Sequence, residues 1–131
     1  MNRWKYACTQ DKCYMKECVL DLTVFDRCFP SSMGMGDIDG IFERNGKFIV
    51  MEFKPSINAL TQGQDRTLRA LSRLPEFTVY LVIGQASTMS VSGVCRYRGG
   101  ERGKLCAFST AELKKVFSDW YIFVDSLPKA V

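Results

Sequence analysis

Four ionisable side chains stand at the two ends of the apolar stretch GDIDGIFERNGKFIVMEFK, Gly36 to Lys54: Asp37, Asp39, Glu52 and Lys54. Asn45-Gly46 in its middle is the strongest short hairpin signal a sequence offers, and a type I′ turn there sets Arg44 opposite Lys47. The same register sets Asp39 opposite Glu52 and Asp37 opposite Lys54, and the period-two alternation of a strand brings all four side chains out on one face. Opposed carboxylates with Cβ atoms about 5 Å apart are destabilising unless one is protonated or a cation lies between them. A hard divalent ion with oxygen ligands is the natural neutraliser. Mg2+ suits, because it takes one or two carboxylates, keeps several waters and completes its shell with substrate phosphate; Mn2+ is a possible substitute. Lys54 would then orient or help deprotonate the attacking water and offset charge in the transition state, which makes the chemistry metal-assisted phosphodiester hydrolysis. A plainer alternative stays open on these residues. The hairpin end would be frayed, with Asp37 and Lys54 forming a surface ion pair worth under about 1 kcal/mol. That leaves Asp39 opposite Glu52 unexplained.

Composition narrows the chemistry further. The 131 residues contain no histidine, so neither a Ser-His-Asp nor a Cys-His centre can be built, and carboxylates, lysine, tyrosine, cysteine or a metal must serve instead. With 47% hydrophobic and 24% charged residues the chain reads as one globular domain spanning 1–131. A chain of this length buries roughly two thirds of its unfolded surface and needs no disulfide staples. Cys8, Cys13, Cys18, Cys28, Cys95 and Cys106 are read as reduced thiols or small hydrophobes; the five-residue spacing of the first three is not that of a zinc site. Neither a signal peptide nor an apolar run of membrane-spanning length is visible, so no membrane partner and a cytoplasmic location are expected. The net charge of +4 is compatible with a phosphate-bearing partner.

These groups need elements to position them. Val19, Leu20, Val24 and Phe25 approximate a helical stripe that Pro30 ends. The hairpin follows, and Pro55 stops its second strand. QGQDRTLRALSRL, opening after Thr61, places Leu68, Leu71 and Leu74 on one helical face. PEFTVYLVIGQ reads as a buried strand, and VSGVCRYRGGERGKLCAF as two strands joined by a Gly-rich basic loop. Ser109-Thr110-Ala111-Glu112 is a capping box opening a last helix, ELKKVFSDW, before a short apolar YIFV segment. The expected class is α/β, a mixed sheet flanked by helices with one strand returning after a crossover helix.

An aspartate at the start of one strand, then a hairpin and a Glu-x-Lys on the next, resembles the PD-(D/E)xK nuclease superfamily. The matching residues here are Asp39 and Glu52-Phe53-Lys54, with GQDRTLRAL following. The wording is similar to that of small phage and prophage nucleases and virus-type replication-repair nuclease domains. The resemblance implies a restriction-endonuclease-like fold. It makes Asp39 and Glu52 the metal ligands, Lys54 the catalytic lysine, and Gln64, with Gln62 as a rival, the helix residue near the site. Asp37 would be an accessory acid, as would an upstream helical acid, Glu17 or Asp21. The family's proline before the aspartate is absent, since Ile38 precedes Asp39.

The expected function is a Mg2+-dependent deoxyribonuclease acting in replication, recombination or repair, plausibly phage-encoded and working in a bacterial or phage-infected host cell. DNA is the expected partner, lying across the hairpin face. Arg66, Arg69 and Arg73 on the helix, and Arg96, Arg98, Arg102 and Lys104 around the YRGGERGK loop, are candidate phosphate contacts; a solvated helix face and a flexible hairpin tip are the structural alternatives. Two other functions remain: a non-catalytic nucleic-acid-binding or protein-interaction module on the same fold, and a junction resolvase, which needs a homodimer to present two sites to two strands. Trp4, Tyr6, Trp120 and Tyr121 could stack on bases but are more often packing residues at such positions.

Overall fold

The computed structural model describes residues 22–31 and 33–129. Two compact units divide the chain, Met1–Asp37 and Ile38–Val131. In the first, Leu22–Cys28 forms a 3-10 helix. The expected helical acids Glu17 and Asp21, the first part of the expected stripe, and Trp4, Tyr6, Cys8, Cys13 and Cys18 lie outside the described residues.

The second unit is mixed α/β. Its strands are β1 (Gly40–Arg44), β2 (Lys47–Lys54), β3 (Phe77–Gln85), β4 (Ser90–Arg98), β5 (Glu101–Arg102) and β6 (Cys106–Ala107), with helices α1 (Gln62–Ser72) and α2 (Thr110–Asp125). The sheet runs β1-β2-β3-β4-β5, and β6 also pairs with β4. Among the described residues only β2 and β3 pair in parallel, because α1 carries the chain back across the sheet between them; the other pairs are antiparallel.

Alternation along the strands sorts the core into two layers. Val50, Val79, Leu81, Ile83, Cys95 and Tyr97 face α1, where Leu68 packs against them with Leu71. Ile49, Tyr80, Val82, Val91 and Val94 face α2 and pack with Leu113, Phe117 and Trp120. Trp120 and Tyr121 both meet Phe42 edge-on, which assigns them to packing. Leu74 departs from the expected helical face. The helix caps at Arg73, ahead of Pro75, and Leu74 is left exposed. Conversely, α2 runs on to Asp125, so Tyr121-Ile122-Phe123-Val124 is its last turn rather than a separate segment. Among the described residues no helix is long and apolar enough to cross a membrane. Cys28, Cys95 and Cys106 are free thiols, and burial pushes the Cys95 thiol above its ordinary pKa.

Hairpin register follows the turn. Asn45 and Gly46 adopt φ of 52° and 76°, the left-handed pair a type I′ turn needs, and the ladder runs from Arg44↔Lys47 to Gly40↔Met51. The tip is fastened to the end of α2: Asn45 Nδ2 donates to the Val124 carbonyl at 3.0 Å, and Arg44 Nε to Asp125 Oδ1 at 2.7 Å. Asn45→Ala should therefore lower stability by roughly 1–3 kcal/mol, through the lost carbonyl cap and the positive φ. Urea unfolding checks this, with Asn45→Gly expected to recover the part due to φ alone.

Candidate active site at the end of the central strands

Glu52 lies on β2 beside Leu81 of β3, facing the α1 layer, and is 4% exposed. Neighbouring positions on that face are apolar: Val50 precedes it, and Leu81 and Ile83 flank it and Lys54 in register. A carboxylate so placed is expensive to desolvate, and buried charges are retained when paired or hydrogen-bonded. Two partners reach the same oxygen. Gln64 Nε2 donates to Glu52 Oε1 at 3.3 Å, and Lys54 Nζ lies 3.8 Å from it. Lys54 is two residues on, hence on the same face, and its side chain remains 20% exposed.

Gln64 is held by the start of α1. Thr61 is the N-cap: its hydroxyl accepts from the Gln64 N–H, and Gln64 Oε1 accepts from the Thr61 N–H, each at 3.1 Å. With the amide oxygen engaged by the backbone, the amide nitrogen is the end left to turn toward Glu52. One capping box thus both starts the helix and aims a donor at the buried carboxylate. Of the two candidate glutamines, Gln64 makes this contact and Gln62 is exposed at the first turn.

Asp39 sits just before β1, in a bend, one step beyond the last rung Gly40↔Met51. The Phe53 N–H on β2 points toward the β1 side, where the ladder has ended, and donates to Asp39 Oδ2 at 2.8 Å. A side chain here substitutes for a missing strand carbonyl. The contact brings the Asp39 carboxylate to the backbone of the residue next to Glu52; the expected rungs Asp39↔Glu52 and Asp37↔Lys54 are not part of the ladder, which ends at Gly40↔Met51. Asp37 is exposed and is the final residue of the first unit.

The basic candidates divide between the two faces of the sheet. Arg66 is exposed on α1. Arg69 and Arg102 converge on Asp65: Arg69 Nε donates at 2.8 Å and Arg102 lies 3.4 Å away, while the Tyr97 hydroxyl donates at 2.6 Å. Arg69 also reaches the Gly100 carbonyl and Glu101, so both arginines are engaged in tying α1 to β4 and β5. Arg73 covers Gly100, whose φ of 90° and lack of a Cβ allow that approach. Arg96 pairs in register with Tyr80, which faces α2, and Arg98 follows two residues later, so strand alternation turns both away from Glu52. Lys104 is exposed in the short connection between β5 and β6.

Two contributors escaped the sequence reading. Thr61 was legible, since Thr-x-x-Gln opening an apolar-periodic run is a capping-box signature. The Asp65–Tyr97 bond joins residues far apart in the chain and left no local signal. Among the described residues no three Asp, Glu or Cys side chains gather into a metal cluster. No protein-family model, curated protein or solved structure matches this chain.

Proposed function

We propose that the protein is a magnesium-dependent nuclease of the PD-(D/E)xK type, built on a restriction-endonuclease-like sheet and hydrolysing phosphodiester bonds in DNA. One observation carries the proposal: a nearly fully buried Glu52 touches Lys54 and Gln64 at once, with Asp39 bonded to the adjacent backbone. A buried acid held by a lysine and an amide, on strands that need no charge for folding, supports a role beyond stability.

The donor set fits a hard cation. Asp39 and Glu52 would hold Mg2+, for which one or two carboxylates with several waters suffice. When bound, the metal supplies Lewis-acid polarisation of a phosphoryl oxygen and a water of lowered pKa. The chain's own residues do the rest. Gln64 fixes the rotamer of Glu52 from a rigid helix start, and Lys54, part exposed, offers its ammonium to the scissile phosphate and to the attacking water.

The test is cleavage of a panel of single-stranded, duplex and branched DNA in Mg2+ or Mn2+, comparing wild type with Lys54→Ala. Cleavage by wild type, reduced at least about a hundredfold in the variant with metal binding largely kept, is expected. Equal activity in Lys54→Ala removes the lysine from the mechanism. No cleavage of any substrate, with no metal bound in a parallel titration, would sink the enzyme and leave a nucleic-acid-binding or protein-interaction module on this fold.

A further inference from the structure

The face of the sheet opposite Glu52 carries its own concentration of positive charge. Between β4, the β5–β6 connection and α2 lies an open pocket of about 450 Å³, lined by Tyr80, Arg96, Arg98, Lys104, Phe108 and Val116 among others. That volume is within the range of about 300–1,000 Å³ usual for small-ligand pockets. Aromatic and aliphatic walls with a few convergent charges are the usual make-up of such sites.

The charges here are not neutralised by one another's neighbours. Glu101 and Arg102 border the pocket, but Glu101 pairs with Arg69 and Arg102 with Asp65, both on the α1 side. Among the described residues no ion pair engages Arg96, Arg98 or Lys104. Arg96 is also fixed in place: its guanidinium carbon lies 5.6 Å from the centre of the Tyr80 ring, a cation–π contact that holds the planar group over the aromatic face. Its Nε is buried without a hydrogen-bond partner. An orphaned guanidinium nitrogen inside a cation-rich pocket is the kind of unsatisfied donor that a bound anion answers.

From these observations we infer that this pocket binds the phosphate of a nucleotide, with Arg96, Arg98 and Lys104 as the phosphate donors and Phe108 with the Arg96 guanidinium plane offering surfaces to the base. Arginine suits both halves of such a ligand, since its fork takes phosphate oxygens in pairs and its face stacks on planar rings. The nucleotide could be free or the end of a strand. The site lies on the other side of the sheet from Glu52 and Lys54, so it stands whether or not the nuclease proposal holds.

Binding measured in the presence of a chelator separates the two. The probes are dAMP, inorganic phosphate, and a 3′-labelled single-stranded oligonucleotide with and without a 5′-phosphate, each titrated against wild type, Arg98→Gln/Lys104→Gln and Glu52→Gln. Arg98 and Lys104 are exposed and make no ion pair among the described residues, so the double variant should fold, as circular dichroism can verify. Expected is at least a tenfold loss of dAMP affinity in the double variant and wild-type dAMP affinity in Glu52→Gln. For the oligonucleotide, the salt dependence should flatten by about 1.4 in slope, for two lost contacts at about 0.7 each. Competition by dAMP supports a free nucleotide and preference for the 5′-phosphorylated oligonucleotide supports a strand end, whereas binding of the oligonucleotide alone, regardless of its 5′-phosphate, overturns the assignment. Unchanged affinity and slope in the double variant, binding of inorganic phosphate alone, or no binding of any probe overturns the assignment.

Discussion

Glu52→Gln should silence the protein without unfolding it. Cleavage in Mg2+ is expected to fall by about a hundredfold or more, the range for losing one preorganised electrostatic group, and metal affinity should fall with it. Stability should stay level or rise. The side chain is 4% exposed, with a lysine at 3.8 Å and an amide at 3.3 Å among its partners. Desolvating a carboxylate costs several kcal/mol, a cost that a neutral amide of the same shape avoids. Glutamine keeps the shape and one acceptor oxygen for Gln64 while removing the charge, and Lys54 is exposed enough to find water. A substitution that holds or raises the urea midpoint while abolishing activity is the signature of a residue kept for function at the expense of folding. The reverse pattern, a lower midpoint with cleavage intact, would make Glu52 a structural acid and overturn the catalytic role proposed for it.

Asp65→Ala should have the largest effect on stability, a loss of roughly 2–4 kcal/mol. Its carboxylate accepts from Tyr97, Arg69 and Arg102, and thereby pins α1 to β4 and β5. Tyr97 is 2% exposed, so removing the acceptor strands a phenolic hydroxyl in the core. Burial, together with the bond to Asp65, already holds that phenol well above its ordinary pKa. Tyr97→Phe, which removes donor and demand together, should cost less, about 1 kcal/mol.

The same network gives a pH dependence. Burial pushes the Asp65 carboxyl up, but the hydrogen bonds from Tyr97 and Arg69 and the charges of Arg69 and Arg102 outweigh it, and its pKa in the folded protein lies below the ordinary value of 3.8. Protonation therefore favours the unfolded chain. The contribution is complete above about pH 4 and is lost as pH falls through the folded-state value. Denaturant titrations between neutral and acid pH should show a stability loss in wild type at low pH that is smaller in Asp65→Ala; equal slopes would place the acid sensitivity elsewhere.

Much of the second unit was written in short-range signals. Asn45-Gly46 demands positive φ at consecutive positions, and that set the turn and the register. Ser109 and Glu112 closed the capping box that opens α2, as their spacing required. The crossover helix and the parallel partner strand followed from a 3.6-residue period succeeded by a β-branched run. Where expectation and structure part, one reason is local and one is not. The end of α1 before Leu74 answers to Pro75, and the extra length of α2 comes from packing along the sheet and from the hairpin tip capping its last carbonyls.

Charge placement is the sharpest division between the two levels. By itself the sequence determined that Glu52 and Lys54 share a face, because residues two apart on a strand point the same way. It left seven basic residues as equivalent phosphate contacts. Only the tertiary structure separated them: Arg69 and Arg102 turn inward to Asp65, Arg66 stays exposed on α1, and Arg96 and Arg98 emerge on the far side beside α2. The reason is physical. Which face of a strand looks at which helix depends on parallel pairing across a crossover and on layers packed from distant segments, and no window of neighbouring residues contains that information.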